Sequence, residues 1–222
     1  MPIKGFKGLR KEIKEKLRFL LKNYGQLYSK NLGINVDSRK SEEIFKWFLA
    51  SILYGKRISE KIATNTYREF EKEKLLTPDA ILAAGWDKLV EVLDKGGYVR
   101  YDFSTATKLL EITKELKNRY GDLNKINEIA LSPRDLEQKF QEFKGIGPVT
   151  TQIFLRELRG IWKNANPALS NFALIATKKL GIKNPEKFWD HHKIKGYDFR
   201  NFECALLRSG RIYKKEEKKK KR

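Results

Sequence analysis

The stretch Phe143-Lys144-Gly145-Ile146-Gly147-Pro148-Val149-Thr150-Thr151 decides how this chain is read. Before it, Ser132-Pro133 opens a segment in which Leu136, Phe140 and Phe143 recur at helical spacing; after it, Ile153, Phe154 and Leu158 mark a second helix. The stretch is therefore a tight turn between two helices. Its two glycines admit backbone angles closed to other residues and remove side chains that would block close approach. Ile146, between them, anchors the turn in the core. Pro148 in the first helical turn leaves neighbouring amides pointing outward at a helix N-terminus, where anions bind. Thr150 and Thr151 add hydroxyls there, and Lys144 adds a charge. The bland alternative is an ordinary turn between packed helices. The flanking helices, the Pro and Thr that follow and the basic context favour a phosphate-binding hairpin.

Outward from the turn, the chain reads as all-α, with about ten helices and short loops. Leu9, Ile13, Leu17, Leu20 and Tyr24 step by three and four residues, one apolar stripe on a helix. Ile44, Trp47, Phe48, Ile52 and Leu53 form a wider apolar face. Leu109, Ile112, Leu116 and Tyr120 repeat the pattern, with Gly121 as a stop. Thr77-Pro78, Ser132-Pro133 and Asn184-Pro185 each place a capping side chain before a proline suited to the first turn. Gly85 and Gly181 stand where C-terminal caps are wanted. No alternating strand pair and no internal repeat is evident.

Composition bounds the function. At 222 residues, 40% hydrophobic and 12% aromatic, the chain can bury a core, which excludes wholesale disorder. The formal net charge is +20. Residues 1–30 carry nine Lys or Arg against two Glu, and the final nine residues, KKEEKKKKR, carry seven positive and two negative charges, a run expected to be a disordered tail. The remaining excess is spread over the body, and a basic surface of this kind attracts polyanions, nucleic acid first among them. No apolar run is long enough to span a membrane, and the N-terminus lacks a signal-peptide core. The single cysteine, Cys204, forms no internal disulfide and holds no iron–sulfur cluster by itself, so an intracellular setting is expected, cytoplasm and nucleoid or nucleus.

With these residues in view, the chain resembles the helix-hairpin-helix base-excision DNA glycosylases, the superfamily of endonuclease III and the adenine glycosylase. Their hairpin commonly reads Leu-Pro-Gly-Val/Ile-Gly, with a Thr-Ala pair two residues later. Three weaker stretches are also similar: Ile52-Leu53-Tyr54-Gly55-Lys56-Arg57-Ile58-Ser59, where the family has a helix-ending loop facing the lesion; Gly97-Tyr98 through Ala106 to Leu109-Leu110, with extra residues around Tyr101-Asp102-Phe103; and Leu206-Leu207-Arg208-Ser209-Gly210-Arg211. The resemblance runs from about residue 40 to 213. It implies two helical modules flanking a DNA-binding cleft: a six-helix barrel module over 36–148 ending in the hairpin, and a second module of 1–35 plus 149–213, followed by the tail 214–222. It implies double-stranded DNA, damaged or mismatched, as partner, with the base turned out of the stack. It further implies a monomer, and a monovalent cation at the hairpin.

The same resemblance exposes departures. The bifunctional enzymes place a Schiff-base lysine two residues after the second hairpin glycine; here that position is Val149, so the usual lyase chemistry is not expected. Lys144 is the substitute on offer, although phosphate contact suits it better. The family aspartate maps near Ser170, in Asn164-Ala165-Asn166-Pro167-Ala168-Leu169-Ser170-Asn171, a stretch without any carboxylate. Asp102 and Asp190 are the visible alternatives, each readable also as a cap or surface group. The four-cysteine cluster of many relatives is absent, so no iron–sulfur cluster is expected. Asp190-His191-His192 lacks a spaced third ligand, and no metal is expected. Tyr54, Tyr98 and Tyr101 read either as a base pocket or wedge or as core, and Lys56 and Arg57 either as DNA contacts or as solvated surface.

The expectation is a DNA glycosylase for damaged or mispaired bases without the conventional lyase lysine. A non-catalytic lesion or structure binder is the rival. A general packaging protein is a third reading, against which the hairpin argues.

Overall fold

The computed structural model describes the backbone over residues 4–220 and the side chains over residues 11–220. It is all-helical as expected: twelve α-helices, the shortest being α2 (Tyr28–Asn31), and one 3-10 turn (Val36–Ser38), with no strand among the described residues. Two compact units divide the chain, one of residues 29–167 and one of residues 1–28 with 168–222.

The larger unit holds most of the helices. α3 (Ser41–Tyr54) is its axis, with Ile44, Trp47, Phe48, Leu49 and Leu53 buried as the wide apolar face requires. Around it lie α4 (Glu60–Lys72), α5 (Pro78–Lys95), α6 (Asp102–Arg119), α7 (Leu123–Ile129), α8 (Pro133–Gln141) and α9 (Pro148–Arg156). The expected caps form. Thr77 Oγ1 accepts from Ala80 N at 3.2 Å, and Ser132 Oγ accepts from Asp135 N at 3.1 Å. Gly85 does more than stop a helix: with φ 70° it breaks α5 internally, and helix resumes beyond it. Gly121, at φ 80°, ends α6 in the left-handed conformation its position calls for.

The unit boundary differs from the expected one. α9 does not leave with the second module, because its inner face is locked into α3. Trp47 Nε1 donates to Phe154 O at 3.0 Å, and the Phe48 and Phe154 rings meet edge-on at 5.0 Å. Phe140, Phe143 and Trp162 complete this aromatic core, with ring centroids 5.0 to 6.4 Å apart. Edge and offset contacts of this kind add to the stabilisation from area alone.

The smaller unit packs α1 (Lys4–Tyr24), α10 (Asn171–Lys179), α11 (Pro185–His192) and α12 (Phe199–Lys220) around Leu17, Leu21, Ala173, Ala176, Trp189, Phe202 and Leu206. Of the N-terminal stripe, Leu9 lies outside the described side chains. Gly210 is why α10 and α12 pack so closely, since a Cβ there would overlap the Phe172 carbonyl. Residues 214–220, expected to be disordered, instead continue α12. Lys and Glu are good helix formers, and Arg211 and Lys214 lie over the Phe172 ring at 5.5 and 5.4 Å, so the helix has both propensity and an anchor. No helix among the described residues is long and apolar enough to cross a membrane.

Candidate functional site

The turn between α8 and α9 is built as its residues dictate. Phe143 and Ile146 are buried, and Ile146 N donates to Phe143 O at 2.9 Å, closing the bend. Gly145 takes φ 91°, a conformation that strains any residue with a Cβ. Gly147 is extended at φ −105°, ψ 178°, so what its missing side chain provides is open space: nothing lies within 4 Å of where a Cβ would stand. Pro148 opens α9, whose first-turn amides have no intrahelical acceptor. Val149 stands 60% exposed beside them.

The threonines play a different part from the one expected. Thr151 is buried and its Oγ1 donates to Gly147 O at 3.1 Å, holding the helix start together. Thr150 is also buried and fills the space left by Gly55, which would otherwise carry a Cβ into its hydroxyl. Both therefore support the turn rather than offering free hydroxyls to a ligand. The Gly55–Thr150 contact sets the loop after α3, with Lys56 and Arg57, beside the α8–α9 turn.

Lys144, 78% exposed at its side chain, is paired with Glu111 at 3.1 Å. Lys108, not foreseen, lies against the turn itself: a Cβ on Gly145 would come within 2.6 Å of its Cδ. Its ammonium also meets that of Lys56. Partial burial, followed by the Lys108 contact, pushes the Lys56 pKa down to about 8. Lys56 lies 6.0 Å from the Tyr101 ring centroid, and Arg100 lies 5.5 Å from the same ring. The one signal for Lys108 in the sequence is the spacing Lys108, Glu111, Glu115, Arg119, one stripe of α6 whose members reach Gly145, Lys144 and Glu142.

The tyrosines divide. Tyr98 is 1% exposed and its hydroxyl donates to Leu53 O at 2.8 Å; burial drives its pKa upward. Tyr98 is thus a core residue with no face to offer a base, which corrects that expectation. Tyr101 is half-buried at the head of α6, edge-on to Tyr98 at 6.2 Å, and keeps a face toward Lys56 and Arg100. Tyr54 is half-buried, its hydroxyl 2.7 Å from Thr64 Oγ1. Arg57 is exposed.

The carboxylate candidates also separate. Asp102 is buried in the first turn of α6 and its Oδ1 accepts from Phe103 N at 2.6 Å. A hydrogen bond shared with Asp102 is the main cause holding the Asp94 carboxyl above the usual range. The two acids act as a pair close to Tyr98 and Tyr101. Asp190 is exposed and paired with Lys193 at 3.0 Å, a solvated surface ion pair. His191 Nδ1 lies 2.6 Å from Lys187 O, and the His192 ring packs on Phe188 at 4.7 Å, so the adjacent histidines do face different ways. Among the described residues no group of three His, Cys, Asp or Glu is placed to hold a metal. Ser170, where the resemblance sought an aspartate, is the N-cap of α10, its Oγ accepting from Ala173 N at 3.2 Å.

Compared with models of protein families and with curated proteins, the chain finds no match in either.

Proposed function

We propose that this chain is a duplex DNA-binding protein of base-excision type, a helix-hairpin-helix glycosylase for damaged or mispaired bases that lacks the family's lyase lysine. The observation that carries the reading is the α8–α9 turn. It presents an open glycine and uncommitted first-turn amides beside two lysines, Lys56 and Lys108, that meet no carboxylate among the described residues. A fold holds two ammonium groups together at a cost, and a phosphate between them removes that cost. Arg57 and Lys144 extend the positive rim, and the exposed part of Tyr101 offers a stacking face. Thr150, Thr151 and Ile146 shape the turn from beneath.

A monovalent cation at the turn, implied by the resemblance, would have main-chain carbonyls of residues 143–147 as its donors. Gly147 O already accepts two hydrogen bonds, from Thr151 N and Thr151 Oγ1, and Phe143 O accepts one from Ile146 N, which leaves the carbonyls of residues 144–146.

A second reading is favoured by a specific observation. Ser170 is committed to capping α10 and Val149 cannot act as a nucleophile, so both family chemical positions are vacant. That supports a non-catalytic binder of lesions or altered DNA structure.

Duplexes carrying uracil, oxidised guanine, alkylated adenine or a mismatch decide between the two. Base release from one of them supports the glycosylase. Tight binding to abasic-site DNA with release from none supports the binder. Failure to bind any duplex contradicts both.

A further inference from the structure

Two large aromatic side chains stand at the surface of the larger unit, outside the site described above. Phe103, on α6, is 59% exposed and Trp86, on α5, is 39% exposed. They are not loose: their ring centroids lie 5.3 Å apart at an interplanar angle of 39°. Trp86 Nε1 donates to Thr107 Oγ1 at 3.0 Å, and Thr107 Oγ1 donates to Phe103 O at 3.0 Å. The indole is thus fixed across α6, with its one polar group spent within the protein. Gly85, at φ 70° and ψ 178°, breaks α5 immediately before it and sets Trp86 at the start of the resumed helix. The break serves no close packing at Gly85, since nothing lies within 4 Å of a Cβ placed there.

The patch is small. A side chain of either kind covers ~150–250 Å², so the two exposed parts come to ~200 Å², against ~800 Å² on each partner of a stable protein interface. Among the described residues, Val99 is the one other exposed large apolar side chain on α5, on α6 or in the loop between them. Such an area suits a single planar ring. The surroundings are basic: Arg100 is three residues before Phe103, and Lys108 is five after it, against Gly145. On a regular helix Phe103 and Lys108 stand ~7.5 Å apart along the axis and ~140° apart around it. Ser104 and Thr107, both short and exposed, occupy the strip between them. A strand with a phosphate at Lys108 therefore has a clear path to the rings, over about twice the ~3.4 Å step of a stacked strand. The nucleotide that spans it is unstacked from its neighbour, whereas the bases of a duplex face inward and away from such a platform.

We propose that Trp86 and Phe103 form a stacking platform for an unpaired base of the strand whose phosphates lie along Lys108 and the α8–α9 turn. The preferred ligand is then a duplex continued by a single-stranded tract, rather than a fully paired one. The partner class rests on the DNA reading above, and the platform adds a contact separate from Tyr54 and Tyr101. Every base has a π-face, so the contact distinguishes unpaired from paired nucleotides and not one base from another. Phe103 supplies the more open ring, and the hydrogen-bonded indole of Trp86 holds it in place.

Trp86 gives the test a direct signal, because Trp47, Trp162 and Trp189 are buried and Trp86 is the exposed tryptophan. The full chain is titrated with a blunt duplex, with the same duplex carrying a thymidine tail at the 3′ or the 5′ end, and with the thymidine tract alone. Tryptophan fluorescence and the anisotropy of a labelled strand are read together. The tailed duplex should bind ~5- to 150-fold more tightly than the blunt one and quench the indole emission. Phe103→Ala should lose that advantage; Trp86→Phe, which keeps a ring, should lose the quench. Both should bind the blunt duplex as the wild type does. Equal affinity for tailed and blunt duplexes, a tail bound without quenching, or an advantage undiminished in Phe103→Ala overturns the proposal and leaves the duplex reading standing. Quenching by the thymidine tract in a protein that binds no duplex sustains the platform and contradicts the duplex reading. Binding of none of the three contradicts both. A dimer in sedimentation that Phe103→Ala converts to monomer marks the patch as a contact between copies and also overturns the proposal.

Discussion

Gly147→Ala separates a binding role for the α8–α9 turn from a structural one. Gly147 is extended at φ −105°, ψ 178°, which any residue adopts, and nothing lies within 4 Å of a Cβ placed there. The fold loses only the difference in N-cap preference between glycine and alanine, up to ~1 kcal/mol. For a chain of this size that lowers Tm by ~2–4 °C at most. The open space above Gly147 is where a phosphate oxygen would approach the first-turn amides of α9. A methyl group there removes one charge-assisted hydrogen bond, ~1.5–3 kcal/mol, which is ~10- to 150-fold in Kd. Loss of one phosphate contact also flattens the dependence of log K on log salt by ~0.9. Fluorescence anisotropy with a labelled duplex at several salt concentrations, beside a thermal melt, reads all three quantities. The loss should be the same for every duplex sequence. Wild-type affinity in a folded Gly147→Ala protein would refute the reasoning. Gly145→Ala is the contrast: at φ 91° the left-handed strain costs ~1–2 kcal/mol, and the Cβ displaces Lys108, so stability and binding fall together.

Other expectations follow from the same geometry. Gly210→Ala forces α10 and α12 apart at the Phe172 carbonyl and should cost ~2–4 kcal/mol in denaturant unfolding, with DNA contacts at the turn unchanged. Tyr98→Phe should cost ~1 kcal/mol through its lost bond to Leu53 O, and leave duplex affinity as it was, because the ring is core. Ser170→Ala should cost ~1 kcal/mol in a thermal melt, whereas Ser170→Asp keeps the cap. Base release by Ser170→Asp where the parent shows none would mark the position as the vacated carboxylate site; no release would remove it from the chemistry. Duplex affinity should weaken as pH rises through about 8, since Lys56 loses its charge there, and Lys56→Gln should abolish that dependence in the same titration.

Local features were legible in the sequence because local physics produces them. Thr77, Ser132 and Asn184 each cap the helix expected of them, the last with its Oδ1 accepting from Lys187 N at 2.9 Å. The burial of Phe143 and Ile146 under the turn likewise follows from a short apolar pattern. What escaped notice depends on residues far apart in the chain. The contact of Lys108 with Gly145 joins two helices, and the stripe of α6 that carries it names no partner. Tyr98 and Tyr101 stand three residues apart in the turn that leads into α6, and only packing against α3 decides that the first is core and the second half-open. Thr150 looked like a ligand because a hydroxyl at a helix start suits phosphate; the close approach of Gly55 claims it instead. The basic segment 214–220 has the composition of a tail, yet Lys and Glu also suit a helix once Phe172 anchors its beginning.

The central claim is that backbone amides of the two-glycine turn meet a DNA phosphate. Titrating the 15N-labelled protein with a short duplex tests it residue by residue. The amides of Gly145, Gly147, Val149 and Thr150 should move first and furthest, with smaller shifts near Lys56 and Lys108. Saturable binding that leaves those four amides where they were would contradict the account.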